Sequence, residues 1–106
     1  MGLLVATMRR AQLRDYRSDL EYKIMLVSAT RLDLANQIDN IVGLSSDLAP
    51  DSPEAKALEK KKERLHQVER ALDQKLQRYQ QQLQMVEAEE QQVQGQLQNA
   101  IQRAYA

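Results

Sequence analysis

Apolar residues recur every seven positions through the first half of the chain, at Leu13, Leu20, Val27, Leu34, Ile41 and Leu48. Tyr16, Ile24, Ile38 and Leu44 fill the steps of three or four between them. At 3.6 residues per turn these positions form one stripe along a helix. No Pro interrupts residues 3–45, and Gly43 is the first Gly after Gly2. Around Ile24, Met25, Leu26 and Val27 the apolar band widens beyond a two-helix seam, and a face that broad has more than one neighbour.

The second half repeats the pattern. Leu58, Leu65, Leu72, Tyr79, Val86, Val93 and Ala100 step by seven, with Leu76, Leu83, Glu90, Leu97 and Ala104 as a companion row offset by four. Such a sustained heptad predicts coiled-coil-like packing. Upstream the companion row reads Lys62 and Glu69, so the seam is looser there.

Between the halves stands SDLAPDSPE, which holds both prolines of the chain. Gly43, Ser45, Ser46 and Pro50 stop the first helix. Asp51 or Ser52 caps the second, and Pro53 suits its first turn, where the missing N–H has no partner anyway. With Asp51 as the cap, Glu54 completes a capping box. The expected fold is all-α, a single-domain antiparallel helical hairpin over residues 1–106. Its helices span about 3–46 and 53–104, with a Pro/Ser loop at 47–52.

Folding back at this loop pairs the two rows about a point between Ala49 and Pro50: Ile41 with Leu58, Leu34 with Leu65, Val27 with Leu72, Leu20 with Tyr79, Leu13 with Val86. Charge agrees with that direction. Arg9, Arg10, Arg14 and Arg17 lie across from Glu87, Glu89 and Glu90, and Asp33, Asp39 and Asp47 from Lys56, Lys60, Lys61, Lys62 and Arg64. Each exposed pair is weak, but together they select an orientation. The register pairs Arg9 with Glu90. An antiparallel dimer of opened chains satisfies the same pattern.

Composition narrows the function. The 106 residues carry 15 basic and 15 acidic side chains, so nothing draws the chain in bulk to nucleic acid or anionic lipid. Phe, Trp and Cys are absent, which excludes a thiolate metal site, a disulfide or a cysteine nucleophile. No run approaches the roughly 18 apolar residues of a membrane span. At the start, MGLLVATMRR, the basic pair follows a short apolar run, the reverse of a cleavable signal peptide. The expected location is cytoplasmic as synthesised, which leaves open export without a cleavable signal.

No residue set spells out a chemistry. His66, the sole histidine, has no HxxxH or HExxH companion and reads as a helix-surface residue. Glu87 and Glu90 share a helix face, yet two helices supply no enclosed site for paired-carboxylate work. The Lys60–Lys61–Lys62 run is flanked by Glu59 and Glu63 and reads as a solvated face. The Gln-rich stretch from Gln77 keeps its apolar heptad, so it reads as a helix with a neutral polar face that suits close packing between subunits. No catalytic residue, metal, cofactor or small-molecule substrate is expected.

A lone two-helix hairpin encloses no core, and apolar surface left bare on it marks an interaction site. The intra-hairpin seam is assigned to Leu13, Leu20, Val27, Leu34, Ile41, Leu58, Leu65, Leu72, Leu76, Tyr79, Leu83, Val86, Val93 and Leu97. Candidate assembly contacts are Leu3, Leu4, Val5, Met8, Ile24, Met25, Leu26, Ile101 and Tyr105. The apolar stretch Ala100, Ile101, Ala104 and Tyr105 is covered either by a neighbour or by Leu3 and Leu4 of the same hairpin.

In architecture, a hairpin with a Pro- and Ser-containing turn resembles the needle and filament subunits of type III secretion systems, which stack apolar helix faces into a tube. The resemblance is of fold alone. It implies a non-enzymatic structural subunit whose partner is another copy, in an oligomer or filament. The alternative is a small coiled-coil adaptor or chaperone that binds an amphipathic helix of another protein.

Overall fold

The ring-poor, Leu- and Gln-rich composition favours helix along its whole length, and a computed structural model describes two long helices over residues 2–105. Helix α1 spans Leu3–Ser45 and α2 spans Pro53–Tyr105. They pack against each other as an all-α hairpin, with boundaries within a residue of those the sequence predicts.

Side-chain hydroxyls terminate both helices at the turn. Ser46 Oγ donates to the Gly43 carbonyl (2.7 Å), and Ser45 Oγ donates to the Val42 carbonyl (3.1 Å), which also accepts the Ser46 N–H (3.2 Å). Ser52 then caps α2: its Oγ accepts the Ala55 N–H at 3.1 Å and donates to the Ala49 carbonyl at 2.8 Å. The cap is therefore Ser52 and not Asp51. With Pro53 at the first helical position, Glu54 falls one residue short of the capping-box site and contributes instead as an acidic residue in the first turn.

The chain divides into two compact units. The terminal unit comprises the chain up to Ile24 and from Arg78. Its core is a cluster of Leu13, Leu20, Val86 and Val93, with Tyr79 and Leu83 packed against it. Ala6 and Leu97 are also buried, and Leu20 is fully enclosed. Ala6 was not singled out by the sequence, yet it lies seven residues before Leu13 and continues the inward row. Burying a leucine such as Leu20 contributes about 1.5–3 kcal/mol.

The loop unit is Met25–Gln77. Leu34, Ile38 and Ile41 are buried, while Val27, Leu48, Leu58, Leu65, Leu72 and Leu76 are half-buried. The thinner packing follows from the companion row, where Lys62 and Glu69 replace apolar residues. Arg31 forms an ion pair with Asp73 across the hairpin.

Gly95 sits inside α2 with nothing within 4 Å of the place a Cβ would occupy. Helical glycine costs backbone entropy for no packing return. Gly95→Ala is expected to stabilise the monomeric hairpin by about 0.5–1 kcal/mol, read as a higher denaturant midpoint at unchanged slope.

Candidate interaction surface

The two helices differ in how their apolar residues are arranged. Helix α2 keeps most of them on one side, against α1, with Val68, Met85, Ile101 and Tyr105 exposed among Gln, Glu, Lys and Arg elsewhere. Helix α1 is apolar on more than one side. Among the described residues, eleven of the fifteen exposed large apolar side chains belong to α1. One partner helix covers one stripe of α1 and leaves the remainder wet.

Of the predicted assembly contacts, Leu3, Leu4, Val5, Met8, Met25, Leu26, Ile101 and Tyr105 are all exposed, Leu4 and Tyr105 most fully at 73% and 88%. Ile24 is half-buried. It falls four residues after Leu20, which places it beside the inward row rather than on the bare face. Tyr22, Leu32 and Val42 are further exposed residues of α1, and Tyr16 and Leu44, which the heptad spacing assigns to the inward stripe, are exposed as well. The signal for Tyr22 and Leu32 was present, in their spacing from Met25.

All the seam residues are buried or half-buried. The register ion pair differs from expectation. Arg9 Nη2 donates to Glu89 Oε2 at 2.6 Å, and Glu90 pairs with Arg17 at 3.4 Å. The reason is the side of the stripe on which each residue sits. Glu90 lies in the companion row with Leu83 and Leu97 and points toward the interior, its side chain only 20% exposed. Arg17, four residues after Leu13, reaches it there. Arg9 and Glu89 each follow a buried row residue by three, lie on the outer flank, and meet with both side chains about half exposed.

The Arg17–Glu90 pair is a polar interruption of the terminal unit. Arg17 Nε and Glu90 Oε1 are buried atoms without a hydrogen-bond partner in the protein, so the pair is only partly satisfied. Replacing both by apolar residues, Arg17→Met with Glu90→Leu, is expected to be neutral or to stabilise by about 1 kcal/mol. Arg17→Met alone leaves a carboxylate facing the seam and is expected to cost about 1–2 kcal/mol. A double-mutant cycle in urea measures both.

On the surface of α1, Lys23 bridges to Asp19 at 2.8 Å and lies 5.9 Å from the Tyr79 ring centroid. The Asp19 hydrogen bond, with the Asp19 charge behind it, holds Lys23 above the ordinary lysine range. His66 contacts Glu69 one turn away, at 3.5 Å. Among the described residues no three His, Asp or Glu side chains converge as a metal site. The grooves beside the seam, such as that between Val5, Arg9, Glu89 and Gln96, are open to solvent. No helix of the described residues is long and apolar enough to cross a membrane.

No protein-family model matches this chain, and no curated protein or solved structure matches it either.

Proposed function

We propose that this chain is a non-enzymatic structural subunit, a helical hairpin that assembles with further copies of itself through apolar helix faces. The observation that carries the reading is the concentration of exposed large apolar residues on α1, eleven against four on α2 among the described residues. Scattered single apolar residues are ordinary on protein surfaces, but their concentration on one helix supports an interaction site there. Self-association covers that face with a surface of the same character at no need for a second gene product. The type III needle and filament subunits, to which the hairpin bears an architectural resemblance, use helix faces in this way.

Light scattering on the purified chain tests the proposal. The mean mass is expected to rise with concentration and to fall back on dilution. A mass of one chain at every concentration contradicts it and favours the adaptor reading, in which the bare face of α1 holds an amphipathic helix of another protein.

A further inference from the structure

We infer that the outer face of α1 in the terminal unit binds the same face of a second copy, antiparallel, about a two-fold axis passing between Tyr16 and Arg17. This rests on the self-association reading and specifies its contact. Leu4, Met8, Ala11, Asp15, Ser18 and Tyr22 alternate steps of four and three, and every one of them is exposed. They form a second heptad row on α1, turned away from the row of Ala6, Leu13 and Leu20 that is buried against α2. By sequence the same spacing continues at Met25, Ala29 and Leu32. Leu4, Met8 and Tyr22 give the row large apolar residues, with Ala11, Asp15 and Ser18 between them, at the spacing by which one helix meshes with another, and α2 does not cover it.

Charge selects the occupant and its direction. Asp15 is the only charged residue in the row up to Tyr22. A second copy laid parallel and in register sets Asp15 on Asp15 at the centre of the contact, two like charges being desolvated together. Laid antiparallel, the rows mesh only in settings one heptad apart.

In the setting centred between Tyr16 and Arg17, Asp15 lies across from Ser18 of the second copy, whose hydroxyl donates to the carboxylate. Ala11 faces Tyr22, small against large. On the flank Arg14 meets Glu21, twice by symmetry.

The neighbouring settings are worse. Sliding one heptad toward the N-terminus sets Arg14 on Arg14. Sliding one heptad the other way sets Glu21 on Glu21 and Asp19 on Asp19, with Asp15 against Met25. The face is thus complementary to itself in one register and repulsive in the adjacent ones.

The charges involved are free to act in this way. Among the described residues neither Arg14 nor Asp15 takes part in an ion pair within the hairpin, and Glu21 has only a 3.7 Å approach to Arg17 Nε. Such a two-fold contact is isologous and closes on itself. It makes a pair, and longer assembly then uses another face.

Charge exchange tests the register. Arg14→Glu and Glu21→Arg each convert two attractions into two repulsions, and each alone is expected to weaken self-association about tenfold. The double variant, or an equimolar mixture of the two singles, is expected to recover it, because each then meets an opposite charge. Helicity of the monomers checks that the hairpin itself is intact.

Since the chain has no Cys, cross-linking gives a second reading. Ala11→Cys mixed with Tyr22→Cys is expected to link between the two variants and not within either. Self-linking of Ala11→Cys, or association indifferent to both charge exchanges, overturns this contact and leaves self-association standing. A wild-type chain that stays monomeric overturns both.

Discussion

Leu20→Ala is expected to lower the stability of the monomeric hairpin by about 3 kcal/mol, near the lower middle of the range for buried leucine truncation. Among the described residues, Leu20 is the one large side chain with no exposed surface, in a cluster with Leu13, Val86 and Val93. Truncation removes the transfer energy of its buried atoms and leaves a gap between two helices that have few other layers to close it. For a chain of this size the loss corresponds to a melting midpoint lower by roughly 10–20 °C. Leu32→Ala is the matched control. Leu32 is 65% exposed, and its truncation is expected to change monomer stability by less than about 0.5 kcal/mol. Both are measured dilute, since association with copies adds stability that depends on concentration. Equal effects for Leu20 and Leu32 contradict the assignment of inner and outer faces.

The second large effect lies in assembly and not in folding. Met8→Lys with Tyr22→Lys is expected to weaken self-association by more than about a hundredfold, because two charges per chain then face apolar surface across the contact. Both residues are 56% exposed in the hairpin, so the helicity and melting of the monomer are expected to stay as they were. Sedimentation of the variant beside the parent chain separates the two effects. A variant that unfolds shows that these side chains support the hairpin itself. One that associates as before shows that the contact lies elsewhere.

The hairpin was legible in the sequence because several local signals agreed. Pro50, Ser52 and Pro53 interrupt two heptad patterns that are otherwise free of proline, and capping and first-turn preferences mark the restart. Choosing between Asp51 and Ser52 was harder, since both side chains are capable caps. The choice depends on which residue adopts the first helical turn, and Pro53 at that position decides it for Ser52.

The ion-pair register was not legible from the same signals. Any two heptad rows pair about some centre, so periodicity fixes which residues face inward and leaves their longitudinal match open. Glu89 and Glu90 are adjacent, both acidic and both near Arg9 in a simple pairing. What separates them is that Glu90 belongs to the inward companion row and Glu89 to the flank.

Ala6 is hard to read from the sequence because a small residue gives little hydropathy signal, although it is fully buried one heptad before Leu13. The second row of α1 was hidden for a related reason. The widened band at Ile24–Val27 was legible as excess apolar surface. Its division into an inner row with Ile24 and Val27 and an outer row with Tyr22 and Met25 needed the hairpin partner to show which side was taken.

The most direct test of assembly through the outer face of α1 uses methionine oxidation as a probe of solvent access. Met8 lies on that face and Met85 on α2, exposed 56% and 66% respectively in the single hairpin, so the second serves as an internal control for the first. With a brief oxidant pulse over a series of protein concentrations, conversion of Met8 to the sulfoxide is expected to fall as concentration rises, while Met85 reacts at a constant rate. Oxidation of both at the same rate at every concentration, or protection of Met85 in place of Met8, contradicts it.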